Sequence, residues 1–128
     1  MSELVAAMPF AERLGIEIES ATAAEVRGGL AWAADLCTAG GIVHGGVLMA
    51  LADSVGGLCA YLNLPEGASG TATIESKTNF FRAVREGTVT AAARPLHVGR
   101  SFVVVQTSLV DAAGKPVAQV TQTQAVLS

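Results

Sequence analysis

Two hydrophobic rhythms divide this chain. From Gly45 to Leu62 (GGVLMALADSVGGLCAYL) apolar residues fall at nearly every helical position, and the run stops before Pro65. That pattern predicts one long helix, and apolar residues all round it predict a buried helix rather than one laid on a surface. After Pro65-Glu66-Gly67 the rhythm becomes period two. Thr71 to Phe81 alternates through Thr71, Thr73, Glu75, Lys77 and Asn79, and the Val- and Thr-rich segments Gly87 to Leu96, Ser101 to Val110 and Val117 to Leu127 follow. These read as strands, with Gly99-Arg100 and Ala113-Gly114-Lys115 as turns. Four successive strands with short links predict an antiparallel meander.

Ahead of the long helix, residues 3–14 (ELVAAMPFAERL) predict one or two short helical turns, the second opened by Pro9. Gly15-Ile16-Glu17-Ile18-Glu19 alternates apolar and acidic, and Glu25 to Trp32 reads as a second strand after a Thr22-Ala23-Ala24 turn. Ala34 to Gly41 reads as loop. The sum is an α+β domain spanning residues 1–128, with one helix covered by an antiparallel sheet of five or six strands. No Pro or Lys runs blunt the sheet edges, which suggests pairing with a partner.

Composition narrows the picture. The chain of 128 residues is 51% hydrophobic and 15% charged, with a mean hydropathy of +0.48. Average chains carry about 25% charge, and disorder needs the opposite balance. The longest apolar stretch, Val47 to Ala52, is far short of the roughly 20 residues a membrane helix requires. A domain of this size with so much apolar surface is an oligomer candidate. The net charge is −3 and no basic run exists, so nucleic acid is not an expected partner. Cys37 and Cys59 form no CxxC and lack a nearby His pair, so neither zinc nor a disulfide framework is expected. Unpaired thiols fit a reducing compartment. Met1 to Arg13, with Glu3 and Glu12, does not read as a signal peptide. A cytoplasmic location is expected.

The candidate chemistry lies in Gly40-Gly41-Ile42-Val43-His44-Gly45-Gly46, six apolar residues, then Asp53. Glycine lets backbone approach a ligand closely. A helix N-terminus offers unpaired N–H groups and partial positive charge, which suit an oxyanion. Asp53 is a carboxylate in mid-helix among apolar residues, costly there unless paired or functional. Blander readings exist: Asp53 on a solvent-facing stripe, and His44 as a helix cap. Gly45 and Asp53 are eight residues apart, roughly 12 Å along a helix axis. One helix therefore cannot place both on one carbonyl. If they cooperate, the Asp must come from a second copy, with antiparallel helices across a two-fold axis.

These residues resemble the hotdog-fold thioesterases, specifically the phenylacetic-acid-degradation (PaaI-type) branch. The resemblance covers nearly the whole chain. It rests on His44-Gly45-Gly46, the apolar stretch and Asp53 nine residues after the His, on Asn79-Phe80-Phe81-Arg82, and on Gly99-Arg100-Ser101. It implies an acyl-coenzyme A thioesterase with a helix wrapped by an antiparallel sheet, pairing into dimers and commonly tetramers. It implies Asp53 as nucleophile or general base, the Gly45 N–H polarising the thioester carbonyl, and His44 shaping that turn and contacting the substrate. It further implies Arg82 and Arg100 at the coenzyme A phosphates or pantetheine, and Gly46, Asn79, Phe80 and Gly99 among the substrate-binding residues. Arg at such loops suits phosphate on general grounds too, against a plain solvated charge at a strand end.

Three positions depart from the family pattern. Thr38 stands where relatives often carry Asn or Gln, and its reach to a carbonyl or water is shorter. Gly57 replaces a common Ser or Thr four residues after the acid, and Thr73 is the candidate to position water instead. Ala83 replaces a common Pro. Hydrolysis needs the Asp53 carboxylate ionised, so a donor, Thr73 or backbone N–H groups, is expected beside it. Expected pocket walls are Met49, Leu58, Tyr61 and Phe80. No cofactor beyond the coenzyme A of the substrate is expected, and aryl or medium-chain acyl groups both fit. Three other readings stay open. A non-catalytic acyl-coenzyme A sensor sits poorly with Asp53. A hotdog dehydratase would carry a His after the acid on the helix, whereas His97 lies in a late strand. A structural oligomer leaves Asp53 unexplained.

Overall fold

The computed structural model describes residues 1–128. In chain order the elements are α1 (Ser2–Ala6), α2 (Pro9–Leu14), β1 (Glu17–Ala21), β2 (Val26–Ala31), a 3₁₀ turn (Ala34–Leu36), α3 (Gly45–Tyr61), β3 (Gly70–Phe80), β4 (Thr88–Val98), β5 (Phe102–Val110) and β6 (Pro116–Leu127). One six-stranded sheet runs β1-β2-β4-β5-β6-β3, with every neighbouring pair antiparallel. A long helix against such a sheet is the hotdog fold, as expected. No helix is long and apolar enough to cross a membrane.

The meander holds only for β4-β5-β6. β3 pairs with β6 at the far side of the sheet, not with β4. The reason is edge availability: β2 takes one side of β4 and β5 the other. After crossing with α3, the chain adds β3 at the end of the sheet beside β6, while β1 holds the opposite edge.

The core lies between α3 and one face of the sheet. Leu48, Leu51, Ala52, Val55, Cys59 and Ala60 of α3 are buried against Val26, Leu30, Val89, Val103, Val105, Leu109 and Val120. Fully burying each Val or Leu removes apolar area worth about 1.5–3 kcal/mol. The helix is not buried all round, however. Met49 is 39% and Tyr61 58% exposed, and Asp53 shares their stripe and is exposed too. A single sheet can cover only one side of a helix, so the apolar character of the other side leaves an uncovered stripe on this chain.

A bulge changes the phase of β3. Its register with β6 shifts between Thr73 and Glu75, with Ile74 as the extra residue. Before the bulge Thr71 and Thr73 point to the helix side. Beyond it Ser76, Thr78 and Phe80 do, opposite Gln122, Val120 and Ala118. Glu75, Lys77 and Asn79 are thereby turned to the outer face, so the continuous alternation read from Thr71 to Asn79 does not describe one face.

Candidate active site

The approach to α3 is built from a tight turn. Gly40 and Gly41 take left-handed backbone angles (φ 84 and 74). The Thr38 N–H donates to the Ile42 carbonyl (2.8 Å) and the His44 N–H to that of Leu36 (2.9 Å). His44 is the N-cap, and its Nδ1 accepts from the Gly46 N–H at 2.8 Å. That bond leaves the ring proton of a neutral imidazole on Nε2. Gly46 permits the fold-back: a Cβ there would lie 2.9 Å from Nδ1. With the Gly46 donor taken, the Gly45 N–H at the first helical position has no partner in the chain. Gly45 also admits Phe80, whose Cζ stands 3.2 Å from where a Cβ would be.

A cavity of about 330 Å³ opens at this helix end, lined by Thr38, Gly45, Leu48, Phe80 and Arg82 among others. A free N–H at the positive end of a helix dipole, facing an apolar recess with one guanidinium, suits a polarised carbonyl attached to an anionic ligand.

Asp53 sits two turns further along. Its Oδ1 accepts from Gln122 Nε2 (3.2 Å) and lies 3.1 Å from Thr73 Oγ1, whose single proton it shares with Gln124 Oε1 at 2.5 Å, while Oδ2 receives no bond. Thr73 thus stands where a donor was expected, whereas Gln122 was missed. The sheet repeats the helix's separation: Ala118, the partner of Phe80, and Gln122 lie four residues apart on β6, roughly 13 Å. Within one chain Gly45 and Asp53 therefore do not converge.

Other expected residues are dispersed. Met49 and Tyr61 lie on the exposed stripe with Asp53, and Leu58 packs at the edge of the core. None of the three lines the cavity at Gly45. Asn79 is exposed on the outer face of the sheet, its register partner Gln119 likewise. The Arg82 N–H donates to the Val117 carbonyl, whereas Ser101, next to Arg100, accepts from the Val126 N–H. Arg82 and Arg100 thus flank opposite ends of β6, separated by roughly 30 Å. Gly99 closes the β4–β5 turn through its N–H to Phe102 (3.0 Å), and Arg100 borders a separate recess with Pro65, Gly67 and Leu127. One chain does not unite Arg82, Asp53 and Arg100 at one recess.

The arrangement defines a class: hotdog proteins with an open helix N-terminus and an acid on the same helix. The chain belongs to the thioesterase superfamily, whose family model matches residues 40–118. It is similar to the 1,4-dihydroxy-2-naphthoyl-CoA hydrolase of Escherichia coli, at 36% identity over 75 residues, 59% of this chain and 54% of that protein. The match spans about half the length of such relatives. Over nearly the whole fold it is similar to a thioesterase from Pseudomonas aeruginosa (TM-score 0.92, 29% identity, 98% of this chain and 92% of that one). A thioesterase structure from Streptococcus pneumoniae containing coenzyme A also matches (TM-score 0.80, 25% identity, 88% and 86% covered).

Proposed function

We propose that this chain hydrolyses an acyl-coenzyme A thioester to the free acid and coenzyme A. The observation that carries this reading is the pairing, on one helix, of an unpartnered Gly45 N–H at the mouth of a cavity with a hydrogen-bonded Asp53 carboxylate on an open face. The Gly45 N–H stabilises negative charge as it grows on the thioester oxygen. Asp53 either attacks the carbonyl carbon, giving a mixed anhydride that water then cleaves, or takes a proton from the attacking water. In both routes the sulfur leaves as coenzyme A thiolate and is protonated. In this reading Thr73, within 3.1 Å of Asp53, holds the water, and Thr38, which lines the same cavity as Gly45, contacts the acyl carbonyl. Arg82, and Arg100 from the other end of the sheet, serve the phosphates. The coenzyme A in the Streptococcus pneumoniae thioesterase and the acyl-coenzyme A in the name of the Escherichia coli relative support this substrate class.

The working unit in this reading is a dimer, itself paired into a tetramer, with each site built from two chains. Support comes from the roughly 12 Å between Gly45 and Asp53, from the free outer edge of β3, and from the exposed stripe of Met49, Asp53 and Tyr61. Met49, Tyr61 and Phe80 then wall an aryl or medium-chain acyl group.

A panel of acyl-coenzyme A esters, with free thiol as the readout, tests the reaction. Aryl or medium-chain esters are expected to turn over, and Asp53→Ala to remove the activity. Equal rates for both proteins would end the enzyme reading and leave an acyl-coenzyme A binder. Mixing a Gly45→Val chain with an Asp53→Ala chain tests sharing: activity is expected to return in mixed dimers, and no recovery would mean that each chain works alone.

A further inference from the structure

Two glutamines sit where an apolar side chain would be expected. Gln122 is 0% and Gln124 2% exposed, and they occupy the inward phase of β6 between Val120 and Val126. Their bonds form a directed chain. Thr71 Oγ1 donates to the Ala125 carbonyl at 2.7 Å. Gln124 Nε2 donates to Thr71 Oγ1 at 3.1 Å. Gln124 Oε1 accepts from Gln122 Nε2 at 2.9 Å, and the same Nε2 donates to Asp53 Oδ1 at 3.2 Å. Thr73 Oγ1 lies between Gln124 Oε1 (2.5 Å) and Asp53 Oδ1 (3.1 Å).

Chemistry fixes the direction of this chain at both ends. A backbone carbonyl only accepts, so the single Thr71 proton is spent on Ala125 and Thr71 can only accept from Gln124. The Gln124 oxygen must then face Gln122, and Gln122 must present its NH₂ to both Gln124 and the carboxylate. Reversal would set Gln122 Oε1 against Asp53, acceptor to acceptor. Nor can Gln122 swing aside, because Gly56 is pressed against it: a Cβ there would lie 2.2 Å from Oε1. The arrangement is costly to the fold. Gln122 Oε1 and Thr107 Oγ1 are both buried without a partner, which destabilises relative to apolar packing.

We propose that Gln122 and Gln124 are positioning residues: a direction-locked pair of buried amides that holds Asp53 by Oδ1 and leaves Oδ2 turned to the substrate. Thr71, which does not touch Asp53, sets the polarity from the far end. This role rests on the reading of Asp53 as the reacting group.

The test is steady-state kinetics on the best acyl-coenzyme A substrate. Gln122→Met, close in shape but without a donor, is expected to lower kcat by about tenfold or more with KM within about twofold. Thr71→Val is expected to lower kcat roughly threefold to tenfold through the released Gln124 amide, and Thr71→Ser to restore it. A purely structural role would lower thermal stability and leave kcat per folded molecule unchanged; that result in both variants overturns the proposal. If Gln122→Met does not fold, Thr71→Val against Thr71→Ser decides. If the wild type turns over no thioester, the functional reading fails separately, and side-chain amide NMR carries the test. The Gln122 NH₂ signals are expected to move in both Asp53→Asn and Thr71→Val; signals indifferent to both overturn the relay.

Discussion

Replacing Gly56 by Ala probes the contact between α3 and the buried amides. In an unobstructed helix interior this change stabilises by about 1 kcal/mol. Here the new methyl would sit 2.2 Å from Gln122 Oε1, 2.9 Å from its Cδ and 3.1 Å from Thr107 Oγ1. Gln122 is fully buried and tied through Nε2 to Gln124 and Asp53, so it cannot yield without losing a bond. Overpacking costs about 1–3 kcal/mol, and a hydrogen bond to a charged group contributes about 1.5–3 kcal/mol. Against the propensity gain, the net loss is about 1.5–5 kcal/mol. For a domain of this length each kcal/mol moves Tm by roughly 4 °C, so Tm falls by roughly 6–20 °C. Urea and thermal unfolding at one protein concentration measure it. The decisive form is a double-mutant cycle: with Gln122→Ala in place the methyl enters vacated space, and Gly56→Ala is then neutral or stabilising. A coupling of about 3 kcal/mol is expected, and additivity within about 0.5 kcal/mol would refute the geometric reasoning.

Three further outcomes follow from other contacts. His44→Ala removes the acceptor of the Gly46 N–H and should cost about 1 kcal/mol in thermal unfolding, with His44→Asn recovering most of it. Gly45→Ala meets only the far end of an exposed Phe80 ring, at 3.2 Å. Its stability should change by less than about 0.5 kcal/mol, while kcat/KM on acyl-coenzyme A falls because the cavity mouth narrows. Burial pushes the Cys59 thiol up to about 11 from 9.0. At pH 8 its thiolate is then about a hundredfold scarcer than in the unfolded chain, and the side chain is fully buried, so alkylation followed by mass spectrometry should be slower by at least that factor before urea is added. Equal rates would show that the thiol is not desolvated in the folded state.

Much of the site's scaffold was readable along the chain. The glycines and His44 announce the start of α3, Pro65 follows its end, and Thr73 was a candidate for the space beside Asp53. The glutamines were legible in principle, since Ala118, Val120, Gln122, Gln124 and Val126 keep one phase on β6. They were missed because a polar residue in a strand is ordinarily read as facing water. Asn79 is a substrate-binding candidate through the motif Asn79-Phe80-Phe81-Arg82 that carries the family resemblance. The bulge at Ile74 turns it to the outer face, and nothing in the local alternation signals that extra residue.

The sequence by itself determined the elements: a helix of apolar residues, strands of period two, and the order in which they occur. Those features are set by residues close together in the chain, where propensity and periodicity act. Tertiary structure alone decided which edge β3 joins, which side of α3 stays uncovered, and that Asp53, Thr73, Gln122 and Gln124 meet. Strand pairing is a competition for vacant edges, and hydrogen bonding between residues on α3, β3 and β6 exists only once the sheet has closed over the helix. The separation of Gly45 from Asp53 belongs to the local level, because the rise of a helix is a local constant.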